Sequence, residues 1–139
     1  MEKVTIKITG NHSDTQKETV GVEQIFEGEY GFRDGSHYVF YEEKSDQYPR
    51  PVKCRIKYKG DLLELVKGGP GGTGMCFEVG KRNEVLYRSP FGDLMLENET
   101  ESIVMEEEEK QILFQIKYRL IAEDEPVSDC TLTILISRV

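Results

Sequence analysis

The alternation between residues 112 and 136 constrains this chain more than any other feature. Ile112, Phe114, Ile116, Tyr118 and Leu120 interleave with Leu113, Gln115, Lys117, Arg119 and Ile121; after a turn, Leu132, Ile134 and Ile136 alternate with Thr133 and Leu135. A period of two sends successive side chains to opposite faces of a strand, whereas a helix repeats every 3.6 residues. The same pattern gives inward sets at Val4/Ile6/Ile8, Val20/Val22/Phe26/Tyr30, Tyr38/Phe40, Cys54/Ile56/Tyr58 and Leu63/Leu65. It continues at Met75/Phe77/Val79, Val85/Tyr87, Leu94/Leu96 and Ile103/Met105. The spacing predicts an all-β chain of about ten short strands.

Short polar segments separate these sets: Arg33-Asp34-Gly35-Ser36, Lys59-Gly60-Asp61, Gly80-Lys81-Arg82-Asn83, Asn98-Glu99-Thr100 and Glu106 to Lys110. Turns this short join antiparallel neighbours, because parallel strands need crossovers of a dozen or more residues. Two longer connections, Gly10 to Thr19 and Lys44 to Pro51, read as exposed loops. An open sheet of this size would leave free edges, so closure into an up-and-down antiparallel barrel of about 8–10 strands is favoured. One domain over residues 1–139 is expected.

The formal charge of −8 argues against nucleic acid and anionic membrane surfaces as partners. The N-terminus alternates from Val4 without a long apolar stretch, so it reads as a strand, and the expected compartment is the cytoplasm. No apolar run approaches the ~20 residues of a spanning helix. The three cysteines, Cys54, Cys76 and Cys130, are odd in number and widely spaced, which suits reduced thiols packed as small hydrophobes.

Gly69-Pro70-Gly71-Gly72-Thr73-Gly74 formally matches a dinucleotide-binding G-x-G-x-x-G. That motif must open a helix to receive the pyrophosphate, and here Met75 to Gly80 alternates as a strand. Met75 also stands where a Walker A lysine would follow. A hairpin loop, able to act as a flap over a barrel mouth, is the simpler reading. The two histidines, His12 and His37, form no metal-ligand spacing with cysteine or aspartate, so no metal or cofactor is expected. The cysteines sit in apolar strands, which is poor ground for a catalytic thiolate. Glu106 to Glu109, closed by Lys110, suits a solvated turn. No enzyme is expected.

Five tyrosines, Tyr30, Tyr38, Tyr58, Tyr87 and Tyr118, fall on the inward parity. A buried phenol needs a partner for its hydroxyl, so these tips reach the barrel ends or line a semi-polar cavity. A barrel of about eight strands can be filled by side chains or hold one small ligand, and both alternatives stand.

The stretch Val85-Leu86-Tyr87-Arg88-Ser89-Pro90-Phe91-Gly92-Asp93-Leu94-Met95-Leu96, with Thr100-Glu101-Ser102-Ile103 after it, resembles the signature of the YwiB-like family. The likeness extends to Gly28-Glu29-Tyr30, Tyr38, Tyr41-Glu42-Glu43 and Ile116-Lys117-Tyr118. Lys67 stands where the family carries an arginine, and the Gly69 to Gly74 loop is a local elaboration. The resemblance implies a bacterial cytoplasmic protein with a lipocalin-like, calycin-type barrel, and it implies no reaction. In the signature, Pro90 and Gly92 supply a tight turn, which reads either as a corner of the architecture alone or as a device that places Tyr87, Arg88 and Phe91 near one rim, with the Arg88 guanidinium available to an anionic group.

Two functions follow. In the first, the barrel holds a small amphipathic molecule, the apolar interior gripping its body and Arg88, Lys67 or tyrosine hydroxyls fixing its polar end, with Tyr38, Tyr58, Tyr87, Phe91 and Tyr118 as the other expected contacts. In the second, the barrel is filled and its acidic surface or loops contact a protein partner.

Overall fold

The computed structural model describes residues 1–13, 19–44, 49–68, 73–89 and 92–139. They form ten strands: β1 (Glu2–Ser13), β2 (Thr19–Arg33), β3 (Ser36–Glu43), β4 (Val52–Lys59), β5 (Leu62–Lys67), β6 (Thr73–Glu78), β7 (Arg82–Ser89), β8 (Gly92–Glu107), β9 (Gln111–Ala122) and β10 (Glu125–Arg138). All the ladders between them are antiparallel. No helix among the described residues is long and apolar enough to cross a membrane.

The strands lie in the order β6-β5-β4-β3-β2-β1-β10-β9-β8-β7. The first and last strands of the chain are therefore hydrogen-bonded partners, and the sheet ends at β6 and β7, which are adjacent in sequence. The short segment at Gly80 was expected to turn one strand onto its neighbour, yet no ladder joins these two. Instead a parallel bridge between Val79 and Thr100, with backbone bonds from Gly80 N–H to Thr100 O (2.9 Å) and from Thr100 N–H to Lys81 O (3.3 Å), draws the two ends together. The result is a nearly closed barrel with one seam.

Hairpin chemistry sets the other junctions. Asp34 and Gly35, at φ 53° and 79°, make the two-residue turn between β2 and β3, and Glu123 and Asp124, at 51° and 65°, that between β9 and β10. Positive φ at both central residues matches the right-handed twist of the flanking strands. Inside, Val4, Ile6, Val39, Ile56, Leu63, Phe77, Ile112, Phe114, Ile116, Ile134 and Ile136 pack as one buried cluster.

The observed faces differ from the expected ones in several places. Tyr38 and Phe40 point outward, stacked on each other, while His37, Val39 and Tyr41 are buried. Both faces of β3 carry large side chains, so alternation alone does not choose between them. The turn does: pairing Arg33 with Ser36 sets even-numbered residues of β2 opposite odd-numbered residues of β3, and Tyr30 faces Val39. Leu94 (58% exposed) and Val22 (58% exposed) share the inward parity of their strands but lie outside the packed interior. Opposite β9, β8 is paired only from Glu97 onward, so Leu94 has no strand on that side.

Asn98-Glu99-Thr100, expected as a turn, lies within β8, with Asn98 and Thr100 buried. A bulge between Thr100 and Ser102 moves the inward set from even to odd numbers, which joins the Leu96 and Ile103 sets into one strand. Gly10 to Ser13, expected as loop, extends β1 in register with β10 and β2. Thr73 and Gly74 begin β6 rather than a helix, which removes the dinucleotide reading; Gly69 to Gly72 lie outside the described residues.

Candidate functional site

The two ends of the interior differ in chemistry. At one, the Tyr30 hydroxyl and His37 Nδ1 share a hydrogen bond of 2.7 Å, and the His37 ring packs against Phe32, Tyr58 and Phe114. Arg138 lies over the Tyr30 ring and pairs with Glu2 and Glu107, closing this end. Tyr58, one of the expected ligand contacts, faces inward here, 5.0 Å ring to ring from Phe114. It belongs to the packed core. Burial pushes the His37 imidazole below its usual range, opposed by the Glu107 carboxylate, and burial pushes the Tyr30 phenol up.

A histidine kept neutral by folding makes stability depend on pH. Above the ordinary histidine value of 6.5, both folded and unfolded chains carry a neutral ring and this contribution is fully present. As pH falls through that value the unfolded chain takes up the proton first, and stability drops until the folded value is passed. Urea midpoints measured between about pH 8 and about pH 5 should fall more steeply for the native protein than for His37→Gln. Parallel curves would show that His37 does not carry the effect.

At the other end, β1, β10, β9 and β8 place one residue each in a row across the inner face. His12 pairs with Cys130, Cys130 with Tyr118 and Tyr118 with Thr100. This row lines a cleft of about 760 Å³, which Val79 and Gly80 of the seam complete. The volume is within the range of small-molecule sites, about 300–1,000 Å³. Gly10 stands on the same inward parity between Ile8 and His12, and a Cβ there would meet nothing within 4 Å. There is thus room for a side chain to begin at Gly10, beside the cleft residues Asn11 and His12, whereas the core on the other side of Ile8 is filled.

The groups around the cleft are suited to holding a molecule. The Tyr118 ring rests 4.8 Å from that of Phe77, and its hydroxyl is within hydrogen-bonding reach of the Cys130 thiol. Burial pushes that thiol up, with Ser128 Oγ 3.5 Å away as a neutral partner, so the sulfur lacks the thiolate character of a nucleophile. Cys54 and Cys76 are shifted the same way by burial. Among the described residues no three metal-binding side chains come together. Carboxylates and cations around the cleft are in part neutralised in pairs, Arg119 with Asp129 at 3.2 Å and Arg82 with Glu99 at 3.0 Å.

Of the expected ligand contacts whose side chains are described, only Tyr118 lines this cleft. Lys67 lies on the inward parity of β5, opposite Cys54, and forms an ion pair with Glu43 at 2.9 Å. Tyr38 is on the outer face beneath Lys57, which removes it from any interior site. The backbones of Tyr87 and Arg88 pair with Leu94 and Asp93, and their side chains are outside the described set, as is all of Phe91. His12, Cys130 and Thr100 were not anticipated. Extending the alternation of Ile6 and Ile8 by two more steps finds His12; Thr100 was hidden by the turn-like composition around it.

A family model described as "Domain of unknown function (DUF1934)" matches residues 6–134. Among solved structures, the chain is similar to the ywiB protein from Bacillus subtilis, with a TM-score of 0.76 and 20% sequence identity, covering 99% of this chain and 92% of that one. At that identity the likeness establishes the barrel and its strand arrangement. A search of curated proteins gave no match.

Proposed function

We propose, from the premise that this chain belongs to the DUF1934 family, that the protein is a non-enzymatic binding module whose barrel takes a small amphipathic molecule through the cleft lined by Tyr118. The observation that carries this reading is the cleft of about 760 Å³ lined by Tyr118, at the end of the barrel where Tyr118 meets the apolar core at Phe77. The apolar body of a ligand would lie toward Phe77 and Ile8, and its polar end toward His12, Tyr118 and Thr100. The charge of −8 favours a ligand that is not a polyanion, and the neutral thiols suit a cytoplasmic, reducing setting.

Gly10→Trp tests the reading. The new Cβ enters open space at an ordinary backbone conformation, and a urea midpoint near the native one checks that the variant folds. Native mass spectrometry of freshly purified protein should show a small-molecule adduct on the native chain and none on Gly10→Trp. Bare native protein, or an adduct retained equally by both, would sink the proposal.

A second reading is favoured by a different observation. Leu94 and Met95, neighbours on opposite faces of β8, are 58% and 59% exposed. A filled barrel that contacts a protein partner would use such a projecting hairpin. Loss of partner capture in Leu94→Ser with adducts absent from the native chain would support it over the first.

A further inference from the structure

Three buried polar atoms at the seam have no partner: Thr100 Oγ1, Asn98 Oδ1 and Asn83 Nδ2. They are close together. Asn98 and Thr100 are two residues apart on the inward face of β8, and Asn83 is directly opposite Asn98 in the β7–β8 ladder. Asn98 is 0% and Thr100 1% exposed; of the three residues Thr100 is the one in the cleft wall, and Asn98 and Asn83 adjoin it along β8 and across the β7–β8 ladder.

The surrounding bonds fix these groups in place. Asn98 donates through Nδ2 to the Cys76 carbonyl at 3.1 Å, across the gap between β8 and β6, and this orients its oxygen away from β6. Both backbone groups of Thr100 are taken by Gly80 and Lys81. The side chains are thus held with one acceptor, one donor and one hydroxyl unsatisfied. Orphaned buried polar groups oppose folding, so an arrangement of three calls for something to complete it.

We propose that this seam is a polar subsite of the cleft and takes a neutral group able both to donate and to accept, a hydroxyl or a primary carboxamide, at the end of an amphipathic ligand. The inference rests on the cleft reading given above. The recognition logic is direct: Asn98 Oδ1 needs a donor, Asn83 Nδ2 needs an acceptor, and the Thr100 hydroxyl serves either. A carboxylate has no proton for Oδ1 and would enter beside Glu99 and Glu101, which also line the cleft. An ammonium has no acceptor for Nδ2. Lys117 and Arg119 also line the cleft, on its exposed side, and either charge brought onto the buried seam atoms would lose its hydration.

The test uses the full chain and three six-carbon probes, 1-hexanol, hexanamide and hexanoate, with binding read from backbone amide shifts of Cys130 and Thr100. The two neutral probes should bind at least about tenfold more tightly than hexanoate, since a site built for hydrogen bonds rejects a group that leaves them unmade. Thr100→Val should erase that preference without unfolding the protein, and Thr100→Ser should retain it. Equal binding of all three probes, or a preference untouched by Thr100→Val, would overturn the subsite and leave the cleft reading standing. Binding of none of them, combined with adduct-free native protein, would overturn both. A crystal structure of the hexanol complex with an internal water alone on the three orphaned atoms would overturn the subsite.

Discussion

Phe114→Ala is expected to destabilise the protein by about 3–5 kcal/mol, the range for deleting a buried aromatic ring. Phe114 is 1% exposed and lies in the middle of β9, its ring 5.0 Å from Tyr58 and 6.0 Å from His37. Both neighbours come from the opposite wall of the barrel, on β4 and β3, so the space left by the ring cannot close through movement of one strand. A loss of this size is a large part of the ~5–15 kcal/mol available to a typical domain. Urea unfolding measures it, and Phe114→Leu, which keeps much of the volume, should lose distinctly less. If both variants unfold at the native midpoint, the interior at this level is not packed as described.

Gly28→Val should be comparably severe for a different reason. A Cβ at Gly28 would collide with the Phe40 carbonyl oxygen and fall 2.7 Å from Ile6 Cδ1 and 3.1 Å from Tyr41 Cβ. The carbonyl is backbone, held in the β2–β3 ladder, and has no rotamer by which to move away. The strands must part, and the cost should exceed the about 1–3 kcal/mol of ordinary overpacking. Gly10→Ala is the matching control, since its Cβ meets nothing, and it should be neutral or stabilise by about 0.4–1 kcal/mol by restricting the unfolded chain. Thermal unfolding of the two variants side by side checks the contrast; similar midpoints for both would refute the steric account.

These two positions also show what the sequence made legible. Phe114 is in the clearest alternating run of the chain, and its inward placement follows from pattern alone. Gly28 was visible only as part of a resemblance, because a close approach between strands depends on pairing that composition does not encode. Where one face of a strand is plainly apolar, as in β1, β4, β9 and β10, parity was readable. In β3 both faces are aromatic, and the information lay in the Asp34-Gly35 turn, which dictates the register. In β8 the bulge at Glu101 broke the count, and a run of Asn, Glu and Thr suited a turn as well as a strand with buried polar side chains. The site suffered most from these ambiguities. Tyr118 was found by parity, whereas Thr100 and Asn98 stand out because Oγ1 of one and Oδ1 of the other lack partners, a property of three-dimensional surroundings alone. Lys67 was singled out for its charge, and its ion pair with Glu43 is set by how far β3 and β5 extend.

The ladder between β1 and β10 has a consequence for how the chain reaches its final form. The strands divide into two meanders, β1 to β6 and β7 to β10, each assembled from connections between sequence neighbours that can form early and locally. Their union in one sheet depends on Val4 meeting Arg138 and Ser13 meeting Asp129, contacts spanning almost the whole polypeptide. Bringing such distant segments together costs loop-closure entropy before any hydrogen bond repays it, which makes long-range pairing the slow event in topologies of this kind. The cleft row crosses that ladder at His12 and Cys130, so the cleft is complete only once this most distant pairing has formed.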